Sequence, residues 1–217
     1  YMPAHNEIQP QPLGVVGIMV PWNYPLFLAV GPMIDALAAG NRIMIKMSEA
    51  APQFAQTFAE TISRYFSPDM VSVVIGEVEI AQAFSQLPFD HLLYTGSTAV
   101  GKKVMAAAAP NLTPVTLELG GKSPVVILEG ANLENAVNRV MMGKTLNAGQ
   151  TCIAPDYVLI PRQYHGEFIR LAKEWMEKHY PNIADNPDYS HIINGAQFKR
   201  VQGYLDGLAG DEVHPLT

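Results

Sequence analysis

Cysteine occurs once in these 217 residues. A single thiol cannot form a disulfide within the chain or build a Cys-based zinc site, so a reducing, cytoplasmic setting is expected and Cys152 is left as a free thiol. Charge is scarce as well: Asp, Glu, Lys and Arg make up 16% of the chain, against about 25% in ordinary soluble domains. The formal net charge of −6 excludes a polybasic nucleic-acid binder. No apolar run approaches the roughly 18 to 20 residues that span a bilayer; the stretch 15–20 is short and contains Gly17. The first residues, with Tyr1, Pro3, His5 and Glu7, offer neither a basic start nor an apolar signal core, so secretion is not expected. The six histidines form neither HExxH nor a His/Cys cluster, and no metal site is expected. The ten methionines read as packing.

What is present is a chain with 48% hydrophobic residues, long enough for one large domain or one and a half. Its low charged fraction implies apolar surface that awaits a partner. Short β-branched runs at 14–20, 42–46, 71–75, 90–94, 115–119 and 124–128 predict buried strands. Helical patterns fall between them at 26–39, 52–65, 77–86, 99–108 and 133–147, the second opened by Pro52 and stopped before Pro68. This alternation predicts right-handed βαβ units, a parallel sheet and helices on both of its faces. The fold class is α/β: a three-layer, doubly wound, mostly parallel sheet, followed by the start of a second α/β unit. Beyond Gly121 a turn at 147–150, a strand at 157–160 and helices at 161–179 and 197–209 are expected.

Several residues in this frame have both a plain and a chemical reading. Cys152, after the turn containing Gly149, is either a small buried hydrophobe or a thiol at a cleft edge beside backbone N–H groups. Glu118 stands near the end of an expected buried strand, where a carboxylate must be paired or raised in pKa; it is either a general base or a local cap. Asn23 lies between Pro21 and Pro25, as a turn former or as an amide donor to an oxyanion. Lys46 and Glu49 read as a solvated strand-end pair or as charged partners for sugar hydroxyls. The segment from Gly96 and Ser97 to Gly101 joins a strand to a helix and suits a pyrophosphate, although it is not GxGxxG.

Taken in order, Pro21-Trp22-Asn23, Lys46-Met47-Ser48-Glu49, Thr95-Gly96-Ser97-Thr98 with Gly101, the run Leu117-Glu118-Leu119-Gly120-Gly121-Lys122-Ser123-Pro124, and Gly149-Gln150-Thr151-Cys152 resemble the aldehyde dehydrogenase superfamily. The resemblance runs from about residue 14 to at least 160. It implies that Cys152 is the nucleophile, Glu118 the activator of the hydrolytic water and Asn23 the oxyanion donor. It implies a cofactor site with Lys46 and Glu49 on the adenosine ribose, Gly96, Ser97 and Gly101 near the pyrophosphate, and Trp22 and Leu119 beside them. The implied cofactor is NAD, because Glu49 repels a 2′-phosphate, with NADP also accepted in part of the family. The segments 113–118 and 149–157 look most like the class 3 and coniferyl aldehyde dehydrogenase branch, which acts on aromatic and medium-chain aldehydes.

The resemblance divides the chain into residues 1–120, a partial NAD(P)-binding domain with the remnant of an oligomerisation arm at 1–12, and residues 121–217, a partial catalytic domain. Chains of that family are longer and carry a later Glu-x-Phe-Gly-Pro segment, so a central piece of such an enzyme is expected. The implied partners are a small aldehyde and sister subunits in a homodimer or homotetramer, with no nucleic acid and no membrane segment. A coenzyme A-acylating relative and a catalytically incomplete nucleotide-binding module are the alternatives.

Overall fold

In the computed structural model, which describes residues 6–206, the chain divides into two compact units, Tyr1–Leu119 and Gly120–Thr217. The expected arm at positions 1–5 and the end of the last helix at 207–209 lie outside the described residues; positions 6–12 have no regular secondary structure.

In the first unit, β1 (Val15–Met19), β2 (Arg42–Lys46), β3 (Val71–Val74), β4 (His91–Gly96) and β5 (Val115–Leu119) alternate with α1 (Pro25–Ala38), α2 (Pro52–Tyr65), α3 (Val78–Ser85) and α4 (Thr98–Ala108). The strands form one parallel sheet in the order β3-β2-β1-β4-β5. Side-chain alternation gives each face its own core. Val16, Ile18, Ile43 and Ile45 pack with Ala29 and Met33 of α1 and Ala55, Phe58 and Ile62 of α2. Met19, Leu92 and Tyr94 pack with Phe84 of α3 and Val104 and Ala108 of α4. The resulting three layers bury Ile18, Ile45 and Leu92 to 1% exposure or less, each worth about 1.5 to 3 kcal/mol. Gly17 is required by packing, since a Cβ there would lie 2.7 Å from the Phe89 ring.

The helix starts follow local chemistry. Pro25 and Pro52 occupy the first turns of α1 and α2, where proline's missing N–H leaves no acceptor unsatisfied. α2 ends where Phe66 turns extended, two residues before Pro68.

The second unit pairs β6 (Ser123–Val126) with β7 (Pro155–Leu159) in parallel, joined through α5 (Leu133–Thr145), and continues into α6 (His165–His179) and α7 (Gly195–Leu205). Val137 and Met141 of α5 pack against Ala172 and Met176 of α6. Asn132 caps α5 by accepting from the Asn135 N–H, and Asn194 caps α7 by accepting from the Gln197 N–H. Two of the boundaries that differ from the sequence reading have a plain local cause. β7 starts at Pro155, an allowed first strand residue, and α6 starts at His165 because Arg162–Tyr164 closes a tighter 3-10 turn.

Candidate active site

The carboxyl ends of the five strands line up, with Met19 opposite both Lys46 and Tyr94, and Gly96 opposite Leu119. In an open parallel sheet, ligands bind beyond these ends, at the point where the strand order reverses. Here the reversal falls between β1 and β4. Asn23, Lys46, Glu49, Gly96, Ser97 and Glu118 all stand at or just beyond this one edge.

Trp22 and Asn23 are half-buried in the bend between β1 and α1. From Asn23 an apolar hollow of about 680 Å³ runs along α1, lined by Tyr24, Leu26, Phe27, Val30, Ile34 and Phe54 among others.

Lys46 corrects one expectation. It does not form a solvated pair: its side chain is 2% exposed, and Nζ donates to the Met47 carbonyl at 2.6 Å. Glu49 is exposed, with Oε2 3.9 Å from Nζ. Burial holds the ammonium below the ordinary lysine pKa, and the negative charges of Glu49 and Glu77 partly offset that effect. A buried cation beside a more open carboxylate gives a donor and an acceptor at the end of β2.

The turn after β4 is built for close backbone approach. Ser97 caps α4, its Oγ accepting from the Val100 N–H at 3.3 Å, so the amides of the first helical turn face the strand end. A Cβ at Gly96 would lie 2.2 Å from the Tyr94 hydroxyl, and one at Gly101 would lie 3.0 Å from the Leu119 side chain. Gly101 thus lets α4 approach β5, and Leu119 forms part of the floor. The Tyr94 hydroxyl donates to the Ser97 carbonyl at 3.4 Å, and burial raises its pKa. Sequence reasoning missed Tyr94; the glycines that flank it were the available signal.

Glu118 departs from the expected burial. β5 is an edge strand, and its residues alternate between half-buried Val115, Leu117 and Leu119 and exposed Thr116 and Glu118. Among the described residues this side of β5 is left exposed, so the carboxylate meets water rather than a buried cap.

In the second unit, Cys152 is exposed, which removes the reading of a buried small hydrophobe. It follows a turn in which Asn147, Ala148 and Gly149 are successively left-handed, with φ of 52°, 53° and 74°. The sequence showed the turn but not this strain. Lys122 pairs with Asp156 at 3.4 Å, four residues after Cys152. Among the described residues, no group of three or more His, Cys, Asp or Glu could hold a metal, and no helix is long and apolar enough to cross a membrane.

A doubly wound parallel sheet with the Ser97-capped start of α4 at its carboxyl edge is an architecture that suits a dinucleotide, and an exposed thiol follows further along the chain in a left-handed turn. The chain belongs to the aldehyde dehydrogenase family, whose model matches residues 2–216. It is 56% identical over 206 residues to a probable coniferyl aldehyde dehydrogenase of Pseudomonas aeruginosa, covering 95% of this chain and 43% of that protein. It is 47% identical to aldehyde dehydrogenase family 3 member A2 of Pongo abelii, covering 92% of this chain and 41% of the relative. This places it with the class 3 branch. A solved structure of aldehyde dehydrogenase C from Pseudomonas syringae, in complex with NAD+ and octanal, matches with a TM-score of 0.82 at 33% identity. That match covers 90% of this chain and 41% of the other. The chain therefore spans less than half the length of the relatives it matches.

Proposed function

We propose that the protein oxidises an apolar aldehyde, aromatic such as coniferyl aldehyde or medium-chain, to the carboxylic acid with NAD(P)+. The observation that carries this reading is the gathering of Asn23, Lys46, Glu49, Ser97 and Glu118 at the carboxyl edge of one parallel sheet. The local chemistry fits a dinucleotide. Glycine at 96 lets the turn pack directly on the Tyr94 hydroxyl, the α4 amides suit a pyrophosphate, and Lys46 with Glu49 suits ribose hydroxyls. The Glu49 carboxylate opposes a 2′-phosphate and favours NAD+. Trp22 and Leu119 complete the cofactor contacts. When bound, the nicotinamide accepts the hydride.

The Cys152 thiolate adds to the aldehyde carbon to form a C–S bond, and the resulting oxyanion is stabilised by N–H donation from the Asn23 amide and the Cys152 backbone. Loss of hydride from that carbon leaves a thioester on Cys152. Glu118, open to water, takes a proton from the water that attacks the thioester; the acid departs and the thiolate is regenerated. The hollow beginning at Asn23 offers its aliphatic and aromatic lining to the substrate's apolar part. The active protein works as a dimer or tetramer in the cytoplasm.

Aldehyde-dependent NADH absorbance in the holoenzyme tests this reading. Cys152→Ala is expected to lower kcat by about four orders of magnitude or more. Glu118→Gln should keep the initial NADH burst while slowing steady turnover by about 10²- to 10⁴-fold. Full steady turnover by Glu118→Gln would remove the base assignment, and thioester release only on addition of coenzyme A would favour acyl transfer to a thiol.

A further inference from the structure

The turn before Cys152 holds three consecutive left-handed residues. Asparagine and glycine tolerate that conformation, but Ala148, at φ 53°, has no such allowance. Glycine is also required at 149, where φ is 74° and a Cβ would stand 3.1 Å from the Lys144 carbonyl oxygen. Within the turn, the Gln150 N–H donates to the Asn147 carbonyl at 3.0 Å and the Asn147 side-chain amide to the Gln150 carbonyl at 3.4 Å. Such a conformation persists only where its surroundings over-determine it.

The Gln150 side chain ties the turn to a distant segment. Gln150 Nε2 donates to the Asn147 carbonyl at 2.9 Å and to the His191 carbonyl at 3.1 Å, while Oε1 accepts from the Ile193 N–H at 3.0 Å. A primary amide is planar and carries an acceptor beside a donor, so here it bonds to a distant main chain much as a peptide group of a neighbouring strand does. The receiving segment is itself fixed. Asn186 accepts from the Asp188 N–H at 2.9 Å and donates to the Pro181 carbonyl at 3.1 Å. The Tyr189 ring meets Tyr180 edge-on at 4.9 Å, at the end of α6. A continuous path therefore runs from the end of α6 through Tyr189 and residues 191–193 to Gln150, two residues from Cys152.

We propose that Gln150 is a positioning residue that locks the strained turn, and hence the Cys152 thiol, to residues 191–193. This rests on the reading of Cys152 as the nucleophile. Gln150→Met keeps the side-chain length and loses all three bonds. Gln150→Glu keeps an acceptor for Ile193 but turns carboxylate oxygens toward two carbonyls.

Hydrogen exchange followed by mass spectrometry, together with kinetics of the holoenzyme, tests the proposal. In both variants the peptides covering 146–153 and 190–194 are expected to exchange together, about tenfold faster or more, while the core of the five-stranded sheet is unchanged. The NADH burst rate should fall roughly 10- to 100-fold with the KM for NAD+ unchanged, a split that general loss of folded protein does not produce. Unchanged exchange in either peptide, or an unchanged burst rate, overturns the proposal while leaving an inactive Cys152→Ala intact. If Cys152→Ala itself remains active, the nucleophile reading fails and the positioning role fails with it. If Gln150→Met does not fold, Gln150→Glu decides by the same two measurements.

Discussion

The two units solve the burial problem of a parallel sheet differently. In the first, the central strands of the five-stranded sheet are covered on both faces by helices, and Ile45 and Leu92 reach 0% exposure. In the second, two parallel strands are covered on one side, while Val126, Leu128, Tyr157 and Leu159 remain exposed on alternate positions. Parallel sheets are stable when both faces are buried, and a two-stranded sheet has little to stabilise it alone. The first unit therefore derives its stability from a closed core and can place functional groups on the loops at its edge. The second holds its Cys152 loop with polar ties and a small helix-pair core, and presents an apolar strand face.

That contrast predicts a graded response to mutation. Ile45→Ala should destabilise the first unit by about 2 to 5 kcal/mol, read as a lower denaturant midpoint for exchange of β1, β2 and β4 amides. A loss under about 1 kcal/mol would mean that this core is looser than its burial implies.

Lys46→Met should give a smaller, pH-dependent change. The folded-state pKa of Lys46 is depressed by burial, so between that value and the ordinary 10.5 the unfolded chain binds more protons than the folded one. Stability of the parent should then rise with pH across this window and fall as pH drops through the folded value. Thermal melts of parent and Lys46→Met should converge as pH rises toward 10.5; parallel curves would show that the ammonium is not penalised by burial. Smallest of all, Leu159→Ser, at a residue 54% exposed, should change the stability of the second unit by no more than about 0.5 kcal/mol. A larger loss, measured by urea denaturation, would show that the open strand face is covered in solution.

Much of the architecture was legible because it is encoded over short distances. β2 and β5 begin and end where the β-branched runs at 42–46 and 115–119 do, and Pro52 marked the start of α2. The start of β7 was less legible, because Pro155 and Asp156 resemble loop formers when read alone. At the candidate site, the order of motifs was enough to single out Asn23, Lys46, Glu49, Gly96, Ser97, Glu118 and Cys152. Their environments were not readable in the same way. Glu118 was expected to be buried and is exposed; Lys46 had a solvated reading and is buried.

By itself the sequence determined the alternation of strands and helices, the absence of a second cysteine, and the motif order that assigns the family, since each depends on neighbouring residues or on identity alone. Only the tertiary structure decided that Lys46 loses its water, that Tyr94 lies beneath the Gly96 turn, and that Gln150 reaches across 41 residues to His191. Burial and side-chain hydrogen bonding depend on what the fold brings alongside, and no local pattern in the chain carries that information.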